Sequence, residues 1–479
     1  MDLDFARRGV LIGGSWRPAA RTIPVENPST GEVLGELACA DKSDVDEAVA
    51  AARDASQGEW GDMPAFERGR ILQAMSQAVL GQADRLAHLE AIDVGKPLGQ
   101  ARNDVTALAR YLEFYAGAAD KLHGQTIPFQ RGYTVYTLRE PHGVTAHIIP
   151  WNYPMQILGR SVIAALACGN AAVLKPAEQA SLTALEVARI AMECGLPAGA
   201  LNVLPGLGSE AGAALSSHEG VDHVSFTGST ATGQQIQAAA ARNAVPVTLE
   251  LGGKSPQLVF EDADLDRALP FLVNAGVQNA GQTCSAGSRI LVQRGVYDEV
   301  VGRMAARYAQ LRAGPALDDL EVGPLISARQ KAMVESYVAL GERELEVLGR
   351  GQVVAGAPAG GHYVAPVLFA ASGSHRLSQE EIFGPVQVVI PFEDEAEAVR
   401  LANGTAYGLV AGVWTRDGAR QMRLARKLRA GQVFLNNYGA AGGVELPFGG
   451  VGRSGHGREK GFEALYAFTT LKTVAALHD

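Results

Sequence analysis

Of the four cysteines in this 479-residue chain, one sits where a sulfur could react. Cys284 lies in Asn279-Ala-Gly-Gln-Thr-Cys-Ser-Ala-Gly-Ser-Arg289, small and polar residues between a helix-like stretch and an apolar strand. A thiolate nucleophile needs access and room for a substrate, and the glycines and hydroxyls around Cys284 leave both. Cys168, inside Ala-Leu-Ala-Cys-Gly-Asn, and Cys194, at a helix end, read as small buried hydrophobes. A carboxylate stands out in the same way. Glu250 closes the apolar strand Val-Thr-Leu-Glu, an awkward place for a surface acid. Partial burial there would raise its pKa toward the range useful to a general base. The competing reading is a carboxylate that caps a backbone turn.

The elements that must position these groups alternate in the middle of the chain. Thr145-Ala-His-Ile-Ile-Pro150 and Ala171-Ala-Val-Leu-Lys-Pro176 read as buried strands, and Thr183–Gly195 as a helix with a glycine stop. Ala200–Gly206 is a further strand, and Asp222–Ser229 followed by Thr232–Ala244 repeats strand, turn, helix. That alternation is the sequence form of a doubly wound α/β sheet. Earlier, Ser43 is a possible N-cap for an Ala-rich helix, and a second helical region runs from about Phe66 to Ala118 with breaks near Gly81 and Pro97. A second α/β region follows Gly253, and Tyr466–Leu477 reads as an edge strand or a strand that crosses to another subunit. Gly450-Val-Gly-Arg-Ser-Gly455 has the G-x-G-x-x-G spacing of a dinucleotide turn. However, Pro447 and two glycines precede it, and too few residues follow for a helix, a second strand and its acidic end. It reads as a loop that lines a site or crosses between domains.

Composition excludes several classes. The chain is 47% hydrophobic and 19% charged, which fits a folded globule of two or three domains. Its net charge of −9 is spread along the chain, with no basic block for nucleic acid or an anionic membrane surface. No apolar run approaches the ~20 residues of a membrane span, and the first residues do not read as a signal peptide. The expected location is the cytoplasm. Cysteines and histidines show no metal-ligand spacing.

Five motifs, in order along the chain, carry a resemblance. Pro150-Trp-Asn-Tyr-Pro154, Phe226-Thr-Gly-Ser-Thr230, Leu249-Glu-Leu-Gly-Gly-Lys-Ser-Pro256, Gly281-Gln-Thr-Cys-Ser-Ala-Gly-Ser-Arg289 and Glu380-Glu-Ile-Phe-Gly-Pro-Val386 are similar to the NAD(P)-dependent aldehyde dehydrogenase superfamily, in its hydrolytic, non-acylating branch. The resemblance covers about Trp16 to the C-terminus. It implies an α/β fold with a Rossmann-like cofactor domain (1–123 and 142–252), an α/β catalytic domain (253–450) and a small β oligomerisation arm (124–141 and 451–479). It makes Cys284 the nucleophile, Glu250 the base that activates the hydrolytic water, and the Asn152 side chain an oxyanion donor beside the Cys284 N–H. Losing one such donor costs about 3–4 kcal/mol of barrier. From its local sequence alone, Asn152 is a turn residue before Tyr153-Pro154.

For the cofactor, the resemblance implies NAD, with NADP disfavoured because Glu178 would repel a 2′-phosphate. Lys175 and Glu178 would hold the adenosine ribose, though both could simply be solvated charges at a helix start. Gly228 and Gly233 bracket a helix start whose N–H groups, helped by Ser229, would face a phosphate. Trp151, Gly208 and Thr227 complete that side, while Glu381 and Phe383 would position the nicotinamide ribose and ring. On the substrate side stand Arg160, Tyr153 and Phe448. Arg160 either recognises a carboxylate or a hydroxylated aromatic aldehyde, or forms a salt bridge inside the protein. Ala440, Ala441, Gly442 and Gly443 leave a wide entrance, which fits a bulky or aromatic aldehyde or a carboxylate-bearing semialdehyde. The alternatives are a coenzyme-A-acylating enzyme, which typically lacks a base at position 250, and a non-catalytic binding homologue. The expected assembly is a homodimer or a homotetramer.

Overall fold

A computed structural model describes residues 9–478. The first eight residues and Asp479, on which part of the N-terminal reading and the ends of two domain ranges fall, lie outside the described residues. Two mixed sheets organise the chain. The first has eight strands in the order Ser15–Arg17, Val10–Ile12, Leu201–Val203, Ala171–Lys175, Val144–Ile148, His223–Thr227, Val247–Glu250 and Gly455–His456. The five central strands are parallel. Every residue of Val144–Ile148, Ala171–Lys175 and His223–Thr227 is buried, because helices cover both faces. The chain order reverses between Val144–Ile148 and His223–Thr227. Ligands of open α/β sheets bind outside the carboxyl ends of the strands at such a switch point.

The second sheet has seven strands, of which Val367–Ala370, Val386–Phe392, Arg289–Gln293, Pro256–Val259, Val410–Trp414 and Gln432–Leu435 run parallel. Each sheet has its own hydrophobic core, one built mainly from residues up to Leu251, the other from Leu258 to Leu428. Ala464, Leu465 and Phe468 return to the first core. A third, small sheet pairs Thr469–Leu477 antiparallel with Tyr133–Pro141, which also pairs with Thr126–Ile127. The closing strand therefore pairs within the chain. It starts later than the sequence predicts, because Tyr466 and Ala467 belong to the helix Gly461–Ala467. Among the described residues, no helix is long and apolar enough to cross a membrane.

The first long helix, Lys42–Gln57, also starts differently from the expectation. Its N-cap is Asp41, whose carboxylate accepts from the Ser43 and Asp44 N–H groups, while the Asp44 carboxylate accepts from the Asp41 N–H at 2.9 Å. Asp41 carries the acceptor that reaches the first free N–H groups, and Ser43 lies inside the first turn. The helical region from 65 to 118 breaks at Gln82 and at Gly95–Pro97, with Gly95 in the left-handed conformation (φ 81°) that ends a helix.

Candidate active site

The five parallel strands deliver most of the sequence-selected residues to one edge. Trp151 and Asn152 follow Val144–Ile148, Lys175 ends Ala171–Lys175, Thr227 ends His223–Thr227 with Gly228 just beyond it, and Glu250 ends Val247–Glu250. The second sheet brings the nucleophile. Cys284 stands in the loop between the helix Leu265–Val277 and the strand Arg289–Gln293, half-buried.

That loop is held on several sides. Asn279 and Ala280 adopt left-handed backbone (φ 51° and 54°), a strained arrangement that needs outside support. The Asn279 amide donates to the Asn152 carbonyl at 2.9 Å, and the Asn152 amide donates to the Gln282 carbonyl at 2.9 Å. Gln282 accepts from the Ile326 N–H at 2.9 Å. Next to the sulfur, the Thr283 hydroxyl lies 2.9 Å from the Tyr153 hydroxyl, and the Ser285 carbonyl accepts from the Tyr438 hydroxyl at 2.7 Å. Thus Asn152 and Cys284 share one hydrogen-bonded frame.

Glu250 lies fully inside the protein, and both of its oxygens lack a hydrogen-bond partner among the described residues. Burial pushes its pKa well above the usual carboxylate range; Glu459 adds to the rise, while Arg160 and Arg458 oppose it. The glycine turn near the C-terminus makes the space for it. Gly455–His456 pairs with Leu249–Glu250, and a Cβ at Gly449 would stand 2.7 Å from Glu250 Oε1. The G-x-G-x-x-G segment therefore lines the site and bridges the sheets, with the Ser454 hydroxyl donating to the Gly252 carbonyl at 2.7 Å. Burial pushes the Cys284 thiol up to about 12, with Arg160 lowering it and Glu250 raising it. The resting sulfur is protonated and needs a base to become a nucleophile.

Several of the expected cofactor residues contact one another or a neighbouring glycine in pairs. Lys175 Nζ donates to Glu178 at 3.0 Å, beside Gly208. The Trp151 and Phe383 rings meet edge to face at 5.4 Å. Glu381 accepts from the Gly253 N–H at 3.0 Å, and a Cβ at Gly252 would overlap its carboxylate. Two of the expected residues are engaged within the protein itself. The Ser229 hydroxyl is taken up as the N-cap of Thr230–Ala241. Gly233 is buried inside that helix, where a Cβ would meet Leu251 at 2.5 Å, so it serves close helix–strand packing.

The sequence model of the aldehyde dehydrogenase family matches residues 16–474. The chain belongs to the aldehyde dehydrogenase family. A solved chain from Burkholderia cenocepacia is 62% identical, with a TM-score of 0.98 and coverage of 98% of this chain and 100% of that one. An NAD+ complex of aldehyde dehydrogenase from Bacillus cereus is 39% identical, with a TM-score of 0.95 and coverage of 99% and 97%. A mitochondrial benzaldehyde dehydrogenase of Antirrhinum majus is 43% identical over 97% of this chain and 88% of its own length.

In this family member Arg160 forms the internal salt bridge, the second of its two expected roles. Its Nε lies 2.5 Å from Glu459, which is fully buried, and its guanidinium stacks over Phe448 at 4.8 Å. A buried carboxylate without a counter-charge is costly, and Arg160 supplies the charge. Glu459 also accepts from Ser225 at 3.0 Å. Removing Arg160 would leave Glu250 and Glu459 to raise each other's pKa. The Arg160→Gln variant should therefore shift the acid limb of the pH–rate profile to higher pH, measured as kcat between pH 5 and 10. An unmoved limb would mean that Glu250 does not sense this cation.

Sequence reasoning missed a second buried cluster. Lys96, completely buried, pairs with Asp104 and with Glu90 at 3.3 Å, and its ammonium lies 3.9 Å from the centre of the Tyr153 ring. Burial pushes the Glu90 pKa up to about 8. Tyr153, expected as a substrate contact, thus has its ring face against Lys96 and its hydroxyl between Gln278 and Thr283. The only signal was a lysine beside the helix stop Gly95-Lys-Pro97, which reads as an ordinary surface cation. Lys96→Met leaves two buried acids unpaired and should cost about 3–5 kcal/mol of stability in urea unfolding. A loss under 1 kcal/mol would contradict the pairing.

Proposed function

We propose that this family member oxidises an aldehyde to the free carboxylic acid by covalent catalysis at Cys284. The family oxidises aldehydes. What carries the finer reading is the buried, unpartnered carboxylate of Glu250 beside the frame that joins Asn152 to the Cys284 loop. The Cys284 thiol gives up its proton to solvent, and the sulfur adds to the aldehyde carbon. The Asn152 amide and the Cys284 N–H stabilise the oxyanion of the thiohemiacetal. NAD+, when bound, would supply the acceptor for the hydride; Cys284 holds the resulting acyl group as a thioester. Glu250 then deprotonates the water that hydrolyses the thioester.

Lys175, Glu178, Gly208, Trp151, Thr227, Gly228, Glu381 and Phe383 would hold the dinucleotide. The fit rests on the strand-end switch point, the Lys175–Glu178 pair beside a glycine, and the facing rings of Trp151 and Phe383. The Glu178 carboxylate favours ribose hydroxyls over a 2′-phosphate, and so NAD over NADP. Phe448, clustered with Leu409 and Val410 where Cys284, Phe434 and Tyr438 pack, gives the substrate an aromatic wall. A bulky or aromatic aldehyde, or a carboxylate-bearing semialdehyde, suits that wall and the small residues at 440–443. The same reading divides the chain into a cofactor region (1–123 and 142–252), a catalytic region (253–450) and an arm (124–141 and 451–479), has the protein act in the cytoplasm and has the arm assemble a homodimer or homotetramer, although Ala464, Leu465 and Phe468 of the last range pack in the first core. Support for the arm comes from Leu138, Leu471 and Leu477, exposed on its sheet.

One assay tests the reading. Reduction of NAD+ is followed with benzaldehyde and with succinic semialdehyde, with and without coenzyme A. Free acid formed independently of coenzyme A is expected. An acyl-coenzyme A product, or silence across a broad aldehyde panel, would overturn it.

A further inference from the structure

Next to the Arg160–Glu459 pair stands a cation that neither the resemblance nor the proposed chemistry uses. Lys460 has φ 62° and ψ 165°, a backbone region that is essentially reserved for glycine. The backbone on both sides enforces it. Phe448 and Glu459 exchange hydrogen bonds at 2.7 and 2.8 Å, and the Gly461 N–H donates to the Val444 carbonyl at 2.8 Å. A side chain held in so unfavourable a conformation is aimed by its surroundings, and such outliers cluster at ligand sites.

Lys460 is half-buried as a residue, and its ammonium lies 5.9 Å from the centre of the Phe448 ring, which belongs to the small apolar cluster that Cys284 packs against. That distance is at the outer limit of a cation–π contact. One of its three donors goes to the Gly442 carbonyl, at 3.2 Å, in the small-residue turn at the proposed entrance. No carboxylate lies within ion-pair distance of it among the described residues. Glu445, the acid whose field it feels, is paired with Arg110. Burial, and then the charge of Arg160, push the Lys460 pKa down to about 8, so a cation is kept near the aldehyde channel without a counter-ion. Arg160 cannot offer its charge in this way, because Glu459 already takes it.

We infer that Lys460 recognises a carboxylate carried by the substrate at the end remote from the aldehyde, so that anionic aldehydes are the preferred class. The inference rests on the Cys284-centred oxidation proposed above and assigns the substrate recognition of that same site. A carboxylate arriving at Lys460 would complete an ion pair that the fold leaves open, with Phe448 packed against the body of the substrate.

The test compares kcat/KM for 4-carboxybenzaldehyde and 4-methylbenzaldehyde in the wild type and in Lys460→Met, Lys460→Gly and Lys460→Arg. The ratio of the two values cancels any loss of active enzyme. The ratio should fall at least tenfold in the Met and Gly variants, mainly through the KM of the carboxylated aldehyde, and recover most of its value in the Arg variant. The Gly variant relieves the backbone, so a fall there cannot come from distortion of this segment. An unchanged ratio in the Met and Gly variants, or an Arg variant as poor as Met, would overturn the inference while leaving aldehyde oxidation intact. A wild type that reduces no NAD+ with either aldehyde would overturn the oxidation reading and this inference with it.

Discussion

Replacing Cys284 by serine is expected to lower kcat roughly 10⁴-fold while NAD+ binding stays within a few-fold of the wild type. The size follows from the chemistry. A planar aldehyde is a poor hydride donor, and the tetrahedral oxyanion that donates well exists only after a nucleophile has added. A serine hydroxyl is far harder to deprotonate than a thiol, and burial already pushes even the thiol up to about 12. No other cysteine can substitute. Cys39 and Cys168 are buried, and Cys194 caps the end of the helix Leu182–Glu193. Steady-state turnover and a binding titration of NAD+ check this prediction. A serine variant within tenfold of the wild type would remove covalent catalysis from the account.

Replacing Glu250 by glutamine is expected to slow steady-state turnover by about 10²–10⁴-fold. It should still allow the first hydride transfer, seen as a burst of reduced cofactor approaching one per active site. The asymmetry arises because the two half-reactions need the carboxylate differently. Cysteine can be activated slowly by solvent base at elevated pH, whereas each turnover requires a water molecule to be deprotonated beside the thioester. The sign of the pH dependence is also fixed. Burial raises the Glu250 pKa, the base works only when ionised, and deacylation should therefore rise with pH through that raised pKa. Stopped-flow measurement of burst and steady state at several pH values separates the steps. If the glutamine variant loses burst and steady state equally and keeps the same pH limb, Glu250 is not the hydrolytic base.

How much of this was legible in the sequence depends on distance along the chain. The switch-point sheet could be read because its strands are continuous apolar runs separated by helices of ordinary length. Cys284 and Glu250 were visible because each violates its surroundings, a thiol among glycines and an acid at the end of an apolar strand. The counter-charges were not visible. Glu459 and Lys460 follow an Arg and look like a solvated charge cluster, yet the pairing of Phe448 with Glu459 buries one and aims the other. Lys96 and its acids are close in sequence, but their burial depends on packing against Tyr153. The same holds for Gly449, whose missing side chain makes room for Glu250. Such features belong to tertiary contacts, and no local pattern announces them.

The central claim is a covalent thioester at one sulfur, and mass spectrometry of the Glu250→Gln variant tests it most directly. The variant is mixed with NAD+ and benzaldehyde, quenched in acid during the burst and digested. The account predicts one benzoyl group per chain, on the peptide that carries Cys284. A burst of reduced cofactor with that peptide unmodified, or with the acyl group on another residue, would contradict it.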